Sequence, residues 1–585
     1  MSDRKRIVLP FIQAMPVIFK YQFFTKLLIS TWLFLMGRVF RLLLNSTGRV
    51  AVTSGDFVFL FGHWQGILII LCAIFSLFVY VALDLNTKTI LSRNLLIGEN
   101  VSVWECIKEA LGSIKRLLSI QGVGVILYIA LIAPVIGVGL SISLTKGLYI
   151  PTFISSVIAG TPLYMIAAVF AVLVFMSVGI ANLFILHGIT LDKLPVKEAG
   201  KQSKQLIRKN WKDYLKQNIL FFLAMLAFLI MVVLVVLVIP LALVQILPLP
   251  DGIKRMLLVL VMNAGVLLSL LVDLFATPLY IMKMTQLYYA YKDGTELNYT
   301  AQVRKIHSYD KYSILIGVIA VVAVSVVMDQ HFDSIFPQGS DVKIIAHRGG
   351  GVEAAENTIA GLETAYRAGA YGSEIDIQRT RDGYYILNHD NNFKRVAGEN
   401  RKPEEMTLEE IRKLSVDGEP VPTYEEVLVA SKGKLILFTE LKGDTADRKM
   451  ADDAVRMIKE YDMVDSCVLI SLKYDLIDYI EKTYPDIQTG FLTFASFGDT
   501  PLLNCDYIGL EEESATASAI SAIHDQNKKV LIWTSNEARS QRHFLCSRAD
   551  ALITDNITQA AGILEEIKNR SDLQRMTDKI RDILS

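Results

Sequence analysis

The chain shows two successive patterns of hydrophobic and polar residues, and the change between them falls near Met328. Before that point, long apolar runs are separated by short basic stretches. Seven of these runs approach the roughly 20 residues that a helix needs to cross a bilayer. They lie at 22–44, 66–86, 121–145, 160–187, 218–247, 256–284 and 312–328. Residues 1–330 are therefore predicted to form an all-α polytopic membrane domain of about seven helices.

The basic residues of this half are unevenly distributed among the connections. They precede the first run and fill the connections between runs two and three, four and five, and six and seven. Because lysine and arginine collect on the cytoplasmic side, the N-terminus is predicted to be cytoplasmic, and everything after Met328 extracytoplasmic. Loss of the first run, which Lys26, Arg38 and Arg41 interrupt, would reverse that orientation. No cleavable signal peptide is expected, because the first run begins late and lacks a small-residue cleavage site.

Two of the basic connections have a helical apolar period. Val103–Ile120 and Val196–Gln217 place basic residues among apolar ones that include Trp104 and Trp211. Such a pattern is typical of helices that lie on an anionic membrane surface. A solvated connector is the alternative interpretation.

After Gln330 the pattern changes to short apolar strands that alternate with amphipathic helices. Eight strands are predicted at 342–347, 371–377, 434–441, 467–472, 487–494, 505–511, 529–535 and 549–555. Helices are predicted between most of them, at 358–368, 424–431, 451–461, 476–484, 515–525, 537–546 and 558–569. Thr423 and Glu426 have the spacing of a capping box. The length and order predict that residues 341–585 form an α/β domain, a (β/α)8 TIM barrel.

A ninth apolar segment at 384–390 follows the second strand too closely for a parallel crossover, since about six residues separate the two. It is predicted to be the return arm of a hairpin outside the barrel. Residues 391–422 are polar and weakly periodic. They are predicted to be a small insertion that shapes the barrel mouth.

Composition narrows the possible functions. At 585 residues, the chain is too long for one core. Its 59 basic and 59 acidic residues balance, which argues against a nucleic-acid-binding protein. Three of the five cysteines lie in the second half without CxxC spacing, so neither a zinc site nor a disulfide framework is indicated. No oligomeric state is predicted.

Three carboxylates fall at the ends of neighbouring predicted strands. Glu374 and Asp376 project to the same side of their strand, and Glu440 lies on the next. In a TIM barrel the carboxyl ends of the strands form the active site. Oxygen ligands alone select a hard cation, so one Mg²⁺ or Ca²⁺ is predicted here, with coordination positions left for substrate.

Histidine and basic residues share these strand ends. His347 and His389 can act as acid and base near neutral pH, and Arg348 and Lys442 can bind phosphate oxygens. The set indicates metal-assisted phosphate chemistry. Each element also has an ordinary interpretation, such as a surface pair at Glu440 and Lys442. It is their combination in this order that favours an active site.

These motifs resemble the glycerophosphodiester phosphodiesterases over about residues 342–560. The shared motifs are HRG (347–349), EN (356–357), ExD (374–376), TxDG (380–383), HD (389–390), PTYEE (422–426), ELK (440–442), WTxN (533–536) and ITD (553–555). The preceding spans resemble the membrane region of one bacterial branch of the family. Ala355 departs from the usual proline, and Ser535 from the usual valine.

The resemblance implies a barrel enzyme that hydrolyses glycerophosphodiesters to glycerol 3-phosphate and an alcohol. It also implies a divalent metal at Glu374, Asp376 and Glu440, with acid and base histidines at His347 and His389. Attack by the glycerol 2-hydroxyl through a cyclic phosphate is the mechanism usually proposed for such enzymes. Trp533 could pack against the glycerol backbone or be an ordinary wall residue.

The leading hypothesis is a membrane-tethered extracytoplasmic phosphodiesterase. Its substrates could be deacylated phospholipid headgroups, lysophospholipids or polyglycerophosphate polymers of the envelope. The alternative is a lipid or polymer transporter or sensor whose barrel only binds a glycerophosphate ligand; Asp273, inside an apolar run, motivates it. A third hypothesis keeps the catalysis and places the barrel in the cytoplasm.

Overall fold

The structure is a computed structural model that describes residues 3–53, 57–99, 102–129, 152–295, 297, 308–494 and 496–584. The chain forms two compact units. One lies within residues 1–40, 67–150 and 155–331 and is helical. The other lies within 41–66, 151–154 and 332–585 and contains the barrel. The grouping of residues 41–66 with the barrel is not apparent from the sequence.

The first unit consists of long apolar helices. The α-helices up to residue 330 are Asp3–Asn45, Phe57–Gly62, Trp64–Val81, Thr87–Ile97, Val103–Gly112, Ile114–Leu117, Ile120–Leu127, Thr152–Gly160, Pro162–Ala181, Ile185–Thr190, Val196–Val233, Ile239–Ile246, Asp251–Asp293 and Ser308–Gln330. Short π-helical turns, Ala82–Asn86 and Leu234–Val238, join two pairs of these helices into longer ones.

Within the described residues, five helical stretches are long and apolar enough to cross a bilayer. A sixth is reached if Val103–Leu117 and Ile120–Leu127, which are bent by 118° relative to each other, count as one broken span. Most of the predicted third span, 121–145, lies outside the described residues. The predicted seventh span, 312–328, falls within the helix Ser308–Gln330, whose stretch Leu315–Gln330 is apolar. The predicted connector 196–217 and the start of the following span lie in one helix, Val196–Val233, which is kinked at Asn210, where φ and ψ are not helical.

The second unit contains all the β-strands of the described chain. In chain order they are β1 Ala51–Thr53, β2 Lys343–Ala346, β3 Gly372–Arg379, β4 Tyr385–Leu387, β5 Ser415–Val416, β6 Glu419–Pro420, β7 Ile436–Leu441, β8 Cys467–Ser471, β9 Gln488–Thr493, β10 Ser496–Gly498, β11 Tyr507–Glu511, β12 Lys529–Trp533 and β13 Ala551–Thr554.

Eight of these strands form a closed parallel barrel, as predicted. Their order is β2, β13, β12, β11, β9, β8, β7 and β3, and β3 returns to pair with β2. β4 pairs antiparallel with the end of β3, with Ile377 opposite Leu387. The predicted hairpin is therefore present, and it lies at the carboxyl end of the barrel, where β3 extends beyond its parallel neighbours.

Helices surround the barrel close to the predicted positions. They are Phe332–Ile335, Ile359–Arg367, Lys394–Ala397, Leu408–Ile411, Tyr424–Ser431, Arg448–Glu460, Tyr474–Thr483, Ala517–His524, Ala538–Leu545, Ile557–Lys568 and Asp572–Leu584. The capping box at Thr423 and Glu426 is formed and starts one of them. The strands are almost fully buried because side chains on one face fill the barrel interior and those on the other pack under these helices.

Residues 391–422 carry short helices and the β5–β6 ribbon. Six buried residues give this segment and the neighbouring hairpin their own small core: Ile386, Phe393, Met406, Ile411, Val416 and Val421. A separate core explains how a polar, weakly periodic stretch holds a fixed position beside the barrel mouth.

The segment that enters the barrel from the last apolar helix is held by the final helix. The Arg575 guanidinium donates to the Phe336 carbonyl through Nε at 2.6 Å, and Arg570 donates to the Pro337 carbonyl at 2.8 Å. Asp578 lies 2.9 Å from Arg570. All three charged side chains are buried. Buried charges of this kind are stable only when they are paired. The contacts of these three side chains, called the clasp below, therefore fix the segment 336–337 to the end of the chain.

Candidate active site

The barrel brings the predicted site residues to its carboxyl end. His347 and Arg348 follow β2, Lys442 follows β7, and His389 follows the hairpin strand β4. Trp533 is the last residue of β12. Parallel strands all end at the same edge, so residues far apart in the sequence converge here.

The three predicted carboxylates form a compact buried cluster. One oxygen each of Glu374, Asp376 and Glu440 lies within 4.8 Å of the others. Asp376 and Glu440 are direct partners in the β3–β7 register. Lys442 Nζ donates to Glu440 Oε2 at 2.9 Å and lies 3.0 Å from Asp376 Oδ1. The approach to Asp376 Oδ1 is not that of a hydrogen bond, and this buried oxygen accepts none within the described chain.

Asn357 orients one of these carboxylates through two reciprocal hydrogen bonds. Its amide nitrogen donates to Asp376 Oδ2 at 2.9 Å, and its amide oxygen accepts from the Asp376 backbone N–H at 3.0 Å. Asn357 has φ +55°, a left-handed conformation that asparagine tolerates better than most residues. The pair fixes Oδ2 and leaves Oδ1 directed into the cluster.

The crowding of negative charge shifts the titration of the cluster. Burial, together with the charge of Asp376, raises the pKa of Glu374 to about 8. Burial also raises the pKa of Glu440, with Lys442 opposing it. Burial works against ionisation of Asp376 too, but Lys442 and His389 lower the pKa of that carboxyl below its usual value. Three converging carboxylates with one oxygen free of hydrogen bonds fit a hard divalent cation, which would offset this repulsion.

His347 is held by a carboxylate from the last barrel strand. Its Nδ1 lies 2.6 Å from Asp555 Oδ1, and its Nε2 lies 3.9 Å from Glu374 Oε2. Asp555 is fixed in turn by Asn536, whose amide nitrogen donates to Oδ2 at 2.6 Å and whose amide oxygen accepts from the Asp555 N–H at 2.8 Å. This repeats the arrangement of Asn357 and Asp376 and locks the orientation of the imidazole.

His389 has a similar partner of its own. Its Nδ1 lies 2.8 Å from Asp390 Oδ1. Arg395 Nε donates to Asp390 Oδ2 at 2.8 Å, while its two terminal nitrogens donate to Glu356 at 2.7 Å each. Gln378 donates to the Asp390 carbonyl at 2.7 Å and so ties the hairpin end to β3. The second histidine is thus positioned by the hairpin and by its ion pairs.

The two histidines titrate differently. Burial would lower the pKa of His347, but the hydrogen bond to Asp555 and the charge of Glu374 outweigh it and raise the pKa above its ordinary value. Burial lowers the pKa of His389 to about 4, although the charge of Asp376 partly opposes it. Two groups whose pKa values are separated in this way can supply a proton donor and a proton acceptor at the same pH.

Two donors at this end of the barrel are left without partners. Arg348 Nε and Trp533 Nε1 are buried, and neither donates a hydrogen bond within the described residues. Arg348 has φ +48°, and its backbone N–H donates to Glu374 Oε2 at 2.8 Å. Buried donors normally find an acceptor, so these two nitrogens are candidates to donate to a bound ligand.

The sequence did not assign roles to Asn357, Asp390, Asn536 and Asp555. All four belong to the motifs EN, HD, WTxN and ITD, which are the only signal that could have pointed to them. Glu511, the last residue of β11, is buried, and its Oε2 accepts from the Glu513 N–H at 3.0 Å.

A closed parallel barrel with carboxylates, histidines and basic donors at its carboxyl end defines the class of TIM-barrel phosphodiesterases. The profile of the glycerophosphoryl diester phosphodiesterase family matches residues 347–559. The profile of the membrane domain of glycerophosphoryl diester phosphodiesterase matches residues 5–328, more than half of the chain. The chain therefore belongs to the glycerophosphodiester phosphodiesterase family, in the form that carries a membrane domain, and is an enzyme that hydrolyses glycerophosphodiesters.

Individual relatives match the barrel half. A putative glycerophosphodiester phosphodiesterase of Bacillus subtilis is 26% identical over 227 residues, which covers 36% of this chain and 93% of that protein. A glycerophosphodiester phosphodiesterase of Caldanaerobacter subterraneus is 25% identical over 232 residues, with the same coverage. A solved phosphodiesterase of Oleispira antarctica, in complex with sn-glycerol-3-phosphate, is 22% identical, covers 38% of this chain and 96% of its own, and has a TM-score of 0.36.

Proposed function

We propose that this barrel hydrolyses glycerophosphodiesters of the cell envelope to glycerol 3-phosphate and an alcohol. The observation that carries the proposal is the convergence of Glu374, Asp376 and Glu440 with His347 and His389 at one end of the barrel. The reaction needs a positive centre for the phosphate, a proton acceptor and a proton donor, and this set offers all three.

One divalent cation, Mg²⁺ or Ca²⁺, fits the carboxylate cluster. Glu374, Asp376 and Glu440 would hold it, because their oxygens converge and Asp376 Oδ1 accepts no hydrogen bond within the described residues. When bound, the cation supplies positive charge to the phosphoryl oxygens.

The basic and aromatic side chains would bind and orient the diester. Lys442 places a cationic donor beside the carboxylates, and the charge of Arg348 also acts on Asp376. Arg348 Nε and Trp533 Nε1, both without partners in the described chain, can donate to phosphate or glycerol oxygens. Trp533 packs on the buried cluster inside the barrel, so its ring forms a fixed wall for the glycerol backbone.

The two histidines would move the protons. The glycerol 2-hydroxyl attacks phosphorus, one imidazole accepts the hydroxyl proton, and the other donates a proton to the departing alcohol oxygen. Water then opens the cyclic phosphate with the two roles exchanged, which yields glycerol 3-phosphate. Asp555 and Asp390 hold the Nδ1 atoms, so each imidazole presents Nε2 to the substrate.

The test is release of glycerol 3-phosphate from glycerophosphodiesters by the purified full chain with Mg²⁺ or Ca²⁺. Removal of either histidine, by His347→Ala or His389→Ala, is expected to lower kcat by about 10²–10⁴-fold. A matched control exists in His524, which pairs with Asp550 at 2.8 Å, at the opposite end of the barrel. His524→Ala should keep activity. Wild-type activity retained by His347→Ala would exclude the proposed site.

We also propose that residues 1–330 anchor the enzyme and that the barrel, residues 341–585, is extracytoplasmic. The distribution of basic residues supports this orientation. So does the pairing of β1 with β10, because β1 belongs to a connection that the same rule places outside the cytoplasm. Protease treatment of intact cells should digest the barrel. Digestion only after the membrane is permeabilised would favour the cytoplasmic orientation.

A further inference from the structure

A buried glutamine lies beneath two loops at the carboxyl end of the barrel. Gln541 belongs to the helix Ala538–Leu545, which packs against β13. The buried face of this helix consists of Gln541, Phe544 and Leu545, at the spacing of one helical stripe. A methionine would fill the same space without burying polar atoms, so the amide needs a reason of its own.

The amide nitrogen of Gln541 bridges the two loops. It donates to Thr554 Oγ1 at 2.8 Å, at the end of β13, and to the Asn556 carbonyl oxygen at 3.3 Å, in the loop that follows. It also donates to the Ser535 carbonyl oxygen at 3.4 Å, in the loop after β12. The two N–H bonds of one amide are therefore shared among three acceptors from neighbouring strand ends.

The amide oxygen of Gln541 takes no part in this bridge. It is buried, and it accepts no hydrogen bond within the described chain. A buried acceptor without a donor costs free energy, so stability alone does not favour an amide at this position. The role of the side chain therefore lies in its nitrogen and in the groups that this nitrogen holds.

Thr554 extends the contact from Gln541 to Asn536. The Thr554 hydroxyl oxygen accepts from the Gln541 amide and from the Asn556 N–H, the latter at 3.1 Å. Both of its lone pairs are then occupied, and its single proton is donated to Asn536 Oδ1 at 3.4 Å. The direction of donation along the chain is thus fixed from the helix toward the site.

Asn536 completes the connection to the catalytic histidine. Its Oδ1 accepts from Thr554 and from the Asp555 N–H, so its Nδ2 faces Asp555 Oδ2, at 2.6 Å. The other oxygen of this carboxylate lies 2.6 Å from His347 Nδ1. Consecutive hydrogen bonds therefore lead from the buried helix face to the imidazole, and buried networks of this kind stiffen the groups they join.

We propose that Gln541 is a positioning residue that orients His347 through this chain of hydrogen bonds. The proposal rests on the proposed hydrolysis, in which His347 moves a proton. Gln541 does not touch the reacting atoms. Its effect is on the orientation of the imidazole, which must present Nε2 to the substrate for the proton to move.

A purely structural role for Gln541 predicts a different result. A residue that only stabilises two loops lowers the free energy of unfolding when it is replaced, and it leaves the kcat of the folded enzyme unchanged. Loss of a positioning residue lowers kcat while the protein remains folded. KM then changes little, because the groups that bind the diester stay in place.

The first test variant is Gln541→Met, which keeps the length of the side chain and removes its donors. Release of glycerol 3-phosphate from glycerophosphocholine is measured with the purified full chain and Mg²⁺ or Ca²⁺. At a temperature where both proteins are folded, kcat is expected to be about ten-fold below the wild type, with KM within about two-fold.

A second pair of variants acts at the next link of the chain. Thr554→Val keeps the shape and removes the hydroxyl, so kcat should again fall by about ten-fold. Thr554→Ser restores the hydroxyl and should return kcat to within about two-fold of the wild type. The matched control is Thr489→Val at the start of β9, where a buried hydroxyl donates to Glu481. This control should lower the thermal midpoint and leave kcat unchanged.

A double variant shows whether Gln541 acts through Asp555. In Asp555→Asn the orientation of the imidazole is already lost, so adding Gln541→Met should lower kcat by less than about a further two-fold. Two residues that act independently would instead have effects that multiply.

Each outcome decides between the proposals. If Gln541→Met and Thr554→Val fold and keep the wild-type kcat, or if the effects of Gln541→Met and Asp555→Asn multiply, the positioning role is overturned and diester hydrolysis stands. If Gln541→Met does not fold, the two Thr554 variants decide, and failure of Thr554→Val to fold as well would make the chain structural. If the wild type releases no glycerol 3-phosphate, both proposals fall.

Discussion

Asp555 Oδ1 lies 2.6 Å from His347 Nδ1, across the junction where the last barrel strand meets the first. The closure of the barrel therefore also assembles the histidine–carboxylate pair. Asn536 holds Asp555 by two hydrogen bonds, so the imidazole has one orientation. Four predictions follow from these contacts and from others around the site.

Asp555 is expected to act as a positioning residue for His347. Asp555→Asn keeps the shape but removes the charge that favours protonated His347, and we expect kcat to fall by about 10–100-fold with a smaller change in KM. Because Asp555 raises the pKa of His347, the limb of the pH–rate profile that reports His347 should move to lower pH. A purely structural role for Asp555 would not cause this shift. Asp550→Asn, in the His524 pair at the opposite end, is the matched control and should leave both unchanged.

Glu374 is expected to be required for cation binding. At a hundred-fold excess over Kd, Mg²⁺ or Ca²⁺ should stabilise the folded wild type by about 2.7 kcal/mol and so raise its thermal midpoint. Glu374→Gln should abolish this shift, and chelation should abolish wild-type activity. Glu565→Gln, on an exposed helix, should behave as the wild type. A cation-induced shift that survives in Glu374→Gln would place the cation elsewhere.

Gly351 supports the same closure and is expected to tolerate no side chain. Its φ is +64°, and a Cβ would lie 2.1 Å from the Asp555 carbonyl oxygen. Gly351→Ala should cost about 2–4 kcal/mol, from backbone strain plus overpacking. Gly383 has φ +90° but no atom near the added Cβ. Gly383→Ala should therefore cost only about 1 kcal/mol in thermal unfolding of the full chain. Equal costs would contradict the packing argument.

The ion pairs around Arg395 are expected to make the barrel sensitive to acid. Burial opposes ionisation of Glu356 and Asp390, but the hydrogen bonds from Arg395 lower the pKa of both carboxyls below their usual values. A carboxyl whose pKa is lower in the folded protein than in the unfolded chain stabilises the fold. That stabilisation is complete above the pKa of the unfolded state and is lost as the pH falls through the pKa of the folded state. The loss should therefore begin below about pH 4.5.

Arg395→Met tests this acid sensitivity. We expect a thermal midpoint about 2–4 °C below the wild type at pH 7, which corresponds to about 1 kcal/mol for half-exposed pairs. The difference should shrink toward pH 3, where the carboxyls are protonated in both proteins. Arg367→Met, which removes an exposed pair with Glu363, should show neither effect. A gap that persists unchanged at pH 3 would exclude the ion pairs as its cause.

The barrel could be predicted because each strand is a short buried run between polar helices. The hairpin was predictable for an equally local reason, the short spacing between β3 and β4. Glu374 and Asp376 followed from strand alternation. Asp555 could not be assigned in this way, since its partner His347 lies 208 positions away and no local pattern links them.

Strand β1 could not be predicted, for a related reason. β1 has three residues, too few for a period, and its partner β10 lies in the other half of the sequence. For the connector at 196–217, the secondary structure could be predicted but its extent could not. Its amphipathic period correctly predicted a helix. The period cannot show, however, that this helix continues into the following apolar run, because an amphipathic pattern does not reveal whether a turn separates the two segments.

The clasp of Arg570 and Arg575 on the segment 336–337 has a consequence for biosynthesis. Its last donor, Arg575, is made 239 positions after Phe336. At about 5–20 residues per second, the ribosome needs roughly 10–50 s to supply it. During that interval the nascent barrel lacks both the clasp and its closing strand, so the barrel cannot close. Activity should therefore arise only near the end of translation.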